Sequence, residues 1–488
     1  MKRAIEFTTA AFAYALLWVV TRWPAIRANV LFFDDFEIPF HPADFYIGPY
    51  RPTLYLEYLF RSAVAPHSLW TVTPKIFGAV YTGIAAAMLI ELLREWEIPP
   101  VIARLLPLVV VSHPLLADGA LWQTYAGLPI VPALITAGAL AWSRGRKVLF
   151  SILTLAGILG YQVYLTLAVV YAIAEAVIRR RFRWRDFAMR IAIIGGCVVV
   201  QLIVTKIIRQ TFGNPDVRGV ISTFNASLQI HGMFDLMVNV WMPVIAYYAG
   251  AFAAMSLWKY VPLLLGAETA IATRSPIDAL FAAAIFIVPA LPNLALDHAP
   301  YSWRVSTPEV YALALALLPI LLRVRRWIAV AMIATLTFVM LPVSRYEAWT
   351  RVESFERDQK FVASVPKDFT VTLAPVNPRK REDVRLIGPH DLTWGYEPRT
   401  PRMWSEFNDA WMAKRYVQNY AKLRFLDCAE LPLEARCQGA AALCATGRND
   451  MPVDYPRGIN VPDRRITVVC PSAGLDSRPK SHSRRPNG

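Results

Sequence analysis

The stretch 144–181, RGRKVLFSILTLAGILGYQVYLTLAVVYAIAEAVIRRR, decides how the rest of the chain is read. Basic clusters close both of its ends. Short loops rich in Lys and Arg stay on the cytoplasmic side of a membrane, so both ends belong to one side. Between them lie roughly 31 apolar residues, and a segment that starts and finishes on one side has to go out and come back. The spacing predicts two short helices that turn near Gly160-Tyr161-Gln162.

Outward from this hairpin the same alternation continues. Apolar segments recur from Phe7 to Pro342, in a chain of 488 residues with 56% hydrophobic content and a mean hydropathy of +0.37. That composition excludes an ordinary soluble enzyme. Besides the hairpin, spans are expected at 7–23, 69–93, 105–116, 119–142, 188–208, 234–258, 277–294, 310–322 and 327–342. Together they make about eleven spans, with the N-terminus inside and the C-terminal portion outside. The first span has the outline of a cleaved signal peptide, but the many spans behind it favour a signal anchor.

The formal net charge of +15 does not point to nucleic acid. Its Lys and Arg residues sit in short loops between apolar segments, as in Lys2-Arg3, Arg144/Arg146/Lys147, Arg179 to Arg190, and Arg323/Arg325/Arg326. Such loops set topology or touch anionic lipid. Three regions follow: a membrane domain at 1–342, a polar domain at 343–475, and a tail at 476–488 whose composition favours disorder. Cys428, Cys437, Cys444 and Cys470 lie in the polar domain, while the membrane domain holds only Cys197. Four cysteines outside the cytosol read as two disulfides with three possible pairings. A zinc site is the rival, without C-x-x-C spacing to support it. Within this region 354–365 reads as an amphipathic helix.

The topology gathers polar features on the outer side: Asp34-Asp35, the stretch 113–123, Tyr161-Gln162, and 297–304 ending in Arg304. An Asp at the water–lipid boundary can take a proton from a hydroxyl, and a neighbouring Asp can raise its pKa or share a cation. Arg51 and Arg304 can hold phosphate oxygens through paired, charge-assisted hydrogen bonds. Glu57 adds a further carboxylate to the loop that opens at Asp34. Plainer readings stand beside these. Asp34-Asp35 can end a span and favour the next helix through its dipole. Arg51-Pro52 can open a helix with Pro at its first position. Gln162 can serve interhelical packing, and Arg304 beside Trp303 can anchor at the interface.

The order of these residues resembles the GT-C superfamily of integral-membrane glycosyltransferases, and within it the bacterial GtrII-type glucosyltransferases. The resemblance is carried by Phe33-Asp34-Asp35, Tyr50-Arg51-Pro52-Thr53-Leu54, Tyr161-Gln162 in a short hairpin, Arg304 before a late span, and Asp358 beyond the last. It implies an all-α polytopic membrane protein of GT-C type with a small extracytoplasmic C-terminal domain in a bacterial inner membrane. It also implies transfer of a sugar from a polyprenyl-phosphate donor to a glycan, glycolipid or glycoprotein acceptor. Asp34 or Asp35 would be the base, with Mg or Mn as the one cofactor that the likeness admits there. Arg51 and Arg304 would meet the donor phosphate, and Tyr161 and Gln162 would line the pocket. A transporter or flippase of lipid-linked saccharides is the alternative, recognised by ionisable groups at the midplane of several helices and by internal repeats.

Overall fold

The computed structural model describes residues 2–31, 46–47, 51–64, 72–116, 125–179, 184–212, 307–364, 369–373, 424–425 and 467–471, with Tyr248, Ala284 and Val288 as single positions. The chain divides into two compact units, Met1–Val30 with Ile38–Trp349 and Leu31–Glu37 with Thr350–Gly488.

The first unit is α-helical among the described residues. Its elements are α1 (Lys2–Arg27), α2 (Pro52–Val64), α3 (Thr73–Glu95), α4 (Pro100–Leu105), α5 (Pro107–Val111), α6 (Ile130–Ser143), α7 (Lys147–Gly160), α8 (Leu165–Ile178), α9 (Trp184–Phe212), α10 (Thr307–Ala316), α11 (Leu318–Leu321) and, as far as Trp349, α12 (Arg326–Ser364). Among them four helices are long and apolar enough to cross a membrane: Lys2–Arg27, Thr73–Glu95, Trp184–Ile208 and Arg326–Tyr346. Shorter apolar helices accompany them. The expected spans at 234–258 and 277–294 lie outside the described residues.

Packing runs outward from α3. It lies along α1 on one side and α6 on the other. Lipid tails are as apolar as leucine, so helices in a bilayer associate through close contact of small residues rather than by expelling water. The seam fits that rule: Gly83 faces Ala11 and Ala15, and a Cβ at Gly83 would stand 2.1 Å from the Ala11 carbonyl oxygen. Outward faces stay greasy. Phe12 and Trp23 on α1, Val148 and Ile152 on α7, and Phe338 on α12 are exposed. In contrast, Arg22, Lys75, Glu57, Arg61 and Glu309 are buried. Apolar outside with charge inside is the arrangement of a protein solvated by lipid.

The hairpin forms as the basic clusters require. α7 ends at Gly160, a 3₁₀ turn takes Gln162–Tyr164, and α8 returns. Its two basic ends meet: Glu175 accepts from Ser143 at 2.9 Å, from Arg179 at 2.8 Å and from Arg190 at 2.7 Å. Arg144 pairs with Glu95 at 2.8 Å, and Arg94 joins Glu91 and Glu6 at 2.6 and 2.9 Å. Part of the positive charge counted in these loops is thus neutralised by carboxylates on neighbouring helices.

Three boundaries differ from expectation. The span expected at 105–116 is instead two short helices, α4 and α5, each opened by a proline at its first turn (Pro100 and Pro107), where the missing N–H costs nothing. Within the span expected at 119–142, residues 125–129 form a turn and a helix runs from Ile130 to Ser143, while 119–124 lie outside the described residues. The last span does not stop at Pro342: α12 runs through it to Ser364, so 354–364 continues that helix instead of forming one of its own. Apolar helices tolerate an internal proline when neighbours satisfy the freed carbonyl.

In the second unit β1 (Phe369–Leu373) is the central strand of a small sheet, parallel to β2 (Arg424–Phe425) and antiparallel to β3 (Thr467–Pro471).

The α1–α3 seam gives a direct test. Gly83→Ala should lower stability by about 1–3 kcal/mol because its methyl meets fixed backbone. Gly195→Ala on α9, where nothing lies within 4 Å, should be neutral or gain up to about 1 kcal/mol in helix propensity. Thermal unfolding of the two variants in the same detergent checks the contrast.

Candidate functional site

Of the residues singled out in the sequence, Asp34, Asp35 and Arg304 lie outside the described residues, as do Cys428, Cys437 and Cys444. Cys470 lies in β3, and Asp358 falls within α12. Arg51, Glu57, Tyr161 and Gln162 are all described, in the first unit.

Arg51 stands immediately before α2, and Pro52 opens the helix as its fixed φ favours. The main-chain amide of Arg51 donates to the Tyr46 carbonyl at 2.8 Å, which fixes the approach to the helix. Its guanidinium lies over the Tyr161 ring at 4.4 Å and donates through Nη1 to the Tyr125 hydroxyl at 3.0 Å. Arginine over an aromatic face is held by the ring quadrupole while its N–H edges stay available. The helix-start reading of Arg51-Pro52 therefore holds, and the side chain is built into an aromatic cluster. Tyr161 is buried and meets Tyr164 edge-on with ring centroids 6.1 Å apart. Gln162 opens the 3₁₀ turn beside it, half-buried. Thr53 clamps α2 to α7 by donating to the Ala156 carbonyl at 2.7 Å. The cluster thus occupies the end of the hairpin opposite to its paired basic ends.

Glu57 serves the same helix differently. It is buried, 3.1 Å from Arg61 one turn on, and hydrogen-bonded with Tyr81 of α3. Gly127 makes room for it: a Cβ there would lie 1.9 Å from a Glu57 carboxylate oxygen. Tyr46 and Tyr58 stack against the pair with centroids 5.3 Å apart. The outer face of α2, with Leu56, Phe60 and Val64, is exposed. Glu57 therefore fastens α2, and with it Arg51, to the bundle. Burial raises its carboxyl above the usual range, and this outweighs the nearby Arg61 cation.

A second polar centre lies where the chain leaves α1 toward Asp34-Asp35. After Asn29, whose φ is +46°, the Val30 carbonyl accepts from Lys75. Arg22 donates to the His113 carbonyl at 2.9 Å and to the Thr21 hydroxyl at 2.7 Å, and it stacks on Trp18. Ser344 donates to the Ser112 carbonyl at 2.5 Å, which closes the centre onto α12.

The sequence reading missed Tyr46, Tyr125, Arg61, Tyr81, Arg22 and Lys75. Signals existed for some: Glu57 and Arg61 stand at i, i+4, and Arg22 and Lys75 are isolated charges in or beside apolar segments. Nothing local marks Tyr125 or Tyr81, whose partners come from other helices. Compared with protein-family models, curated proteins and solved structures, the chain matches none. Among the described residues no group of three or more His, Cys, Asp or Glu is placed to hold a metal ion, and the aspartates to which a cation was assigned lie outside them.

Glu57 yields a pH prediction. Its folded-state pKa is raised, so its contribution to stability is complete below the ordinary carboxylate value of 4.5 and is lost as pH rises through the raised value. An arginine holds its charge over that range, so losing the Arg61 partner enters as a constant offset. The melting-temperature difference, Glu57→Gln minus wild type, should therefore grow in favour of the variant from pH 4.5 upward. A difference that stays flat with pH would remove the buried carboxyl from that account.

Proposed function

We propose that the protein is a polytopic glycosyltransferase of the inner membrane that takes a sugar from a polyprenyl-phosphate donor on the extracytoplasmic face. The observation that carries this reading is the Arg51 cluster. A guanidinium braced by Tyr161 and Tyr125 stands at the end of an apolar hairpin whose opposite end gathers Arg144, Arg179 and Arg190. If the basic end is cytoplasmic, as short Lys/Arg-rich loops are, Arg51 faces the other side. A braced arginine beside apolar helices suits the phosphate of a lipid.

In this reading Asp34 or Asp35 takes the proton of an acceptor hydroxyl as its oxygen bonds the anomeric carbon. The bond from that carbon to the phosphate oxygen breaks, and polyprenyl phosphate leaves with the electron pair, its charge met by Arg51 and Arg304. A divalent cation, if used, belongs to Asp34 and Asp35 and supplies charge neutralisation at the phosphate. Eleven spans and a disulfide-bonded outer domain that helps select the acceptor complete the proposal.

The experiment is sugar transfer in membranes supplied with radiolabelled polyprenyl-phosphate sugars at matched expression. The essential member of Asp34→Asn and Asp35→Asn should lower turnover by about 100-fold or more, while Arg51→Ala should chiefly weaken donor use. Full transfer in all three variants would sink the proposed site. Labelled lipid that crosses the bilayer with its sugar still attached would replace it with a flippase.

A further inference from the structure

The most anomalous buried group is Glu309. It sits in the first turn of α10, in Thr307-Pro308-Glu309, and is fully buried. Among the described residues neither carboxylate oxygen has a hydrogen-bond partner beyond, at closest, its own main-chain amide. An acid in that position is expensive to keep unless something completes it. Burial raises its carboxyl well above the usual carboxylate range, and the described residues offer it no side-chain partner.

Its surroundings say what the partner is. The hydroxyl of Thr307 is hydrogen-bonded with the Tyr164 phenol, and Glu309 lies within electrostatic reach of that phenol. Tyr164 in turn meets Tyr161 edge-on at 6.1 Å, and Arg51 lies over Tyr161 at 4.4 Å. A cation, two tyrosines, a threonine hydroxyl and an unpartnered carboxyl thus follow one another from α2 across the hairpin turn to α10. Among the described residues no cluster of carboxylates or histidines accompanies Glu309. A capping role is the plain alternative, since Ser306 and Glu309 have the spacing of a capping box.

We propose that Glu309 binds hydroxyl groups of the sugar carried by the lipid-linked donor, while Arg51 holds the phosphate end of the same molecule. This rests on the glycosyltransferase reading above and adds the sugar subsite to it. A buried carboxyl discriminates sugars because its oxygens exchange hydrogen bonds with hydroxyls, and a group left unmet in a dry site is costly.

The test measures binding of two probes to the purified full-length protein in nanodiscs: a polyprenyl phosphate bearing a hexose, and the same lipid without its sugar. Glu309→Gln should weaken the glycosylated lipid by about tenfold or more and leave the sugar-free lipid unchanged. Glu309→Asp keeps the carboxyl but withdraws it by one methylene. It is read in the same way, and it covers the case in which the glutamine variant fails to melt cooperatively. A glutamine also satisfies a capping box, so equal binding of both lipids in a folded Glu309→Gln protein overturns the proposal and leaves Glu309 as a cap. Equal loss for both lipids overturns it too, since the residue would then act on the phosphate or on the fold. If the wild type binds neither lipid and transfers nothing, the glycosyltransferase reading fails and the subsite falls with it. If the wild type binds and transfers while Glu309→Gln does so equally, only the subsite is lost.

Discussion

Charge in this protein has been turned inward, and a solvent with no hydrogen bonds to offer sets the terms on which it stays there. Glu57 cannot rely on water, so it takes Arg61 and Tyr81; Arg22 takes a carbonyl and two hydroxyls; Glu175 takes a serine and two arginines. Each of these groups ties helices that apolar surface alone would not hold in register, because lipid satisfies apolar faces as well as protein does. The close seam between Lys2–Arg27 and Thr73–Glu95 depends on small residues for the same reason.

The polar groups divide by place. Arg94, Arg144 and Arg179 with their carboxylates form a partly exposed ionic belt at one end of the short hairpin, where pairs are cheap to make and worth little singly, while Arg190 pairs with Glu175 in a buried setting. At the hairpin turn the chemistry changes to aromatic rings and one braced cation. The first end ties neighbouring helices together through ion pairs, whereas the second joins α2 to the hairpin through a cation over a ring.

What the sequence disclosed follows this division. The hairpin over 147–178 was legible because two basic clusters bounded too much apolar chain for one crossing. Arg51, Tyr161 and Gln162 were legible as polar residues out of keeping with their surroundings, and the structure brings Arg51 onto Tyr161. Tyr125 and Tyr81 were not, since each matters only for the partner that another helix presents. Boundaries failed where prolines were read by rule alone. Pro107 opens a helix inside one expected span, and Pro342 fails to close another. Proline's effect depends on whether its missing N–H was needed, which only the packed neighbours decide. Glu309 was passed over as the last residue of a loop. Its helix start was visible, but its isolation was not.

The hairpin is also short. Lys147–Gly160 spans about 21 Å at 1.5 Å per residue, against a hydrocarbon core of about 30 Å. A helix that begins at one headgroup plane therefore stops roughly 9 Å beneath the other, and any tilt sinks it further. Tyr161 and the guanidinium above it would lie at that depth, below the level where phospholipid headgroups rest. A headgroup can descend so far only where the bilayer thins or where its own chain leads it in sideways between helices. Under the proposed function membrane thickness becomes a variable of the reaction, and a long, pliant isoprenoid donor is better shaped for that lateral descent than an ordinary two-chain lipid.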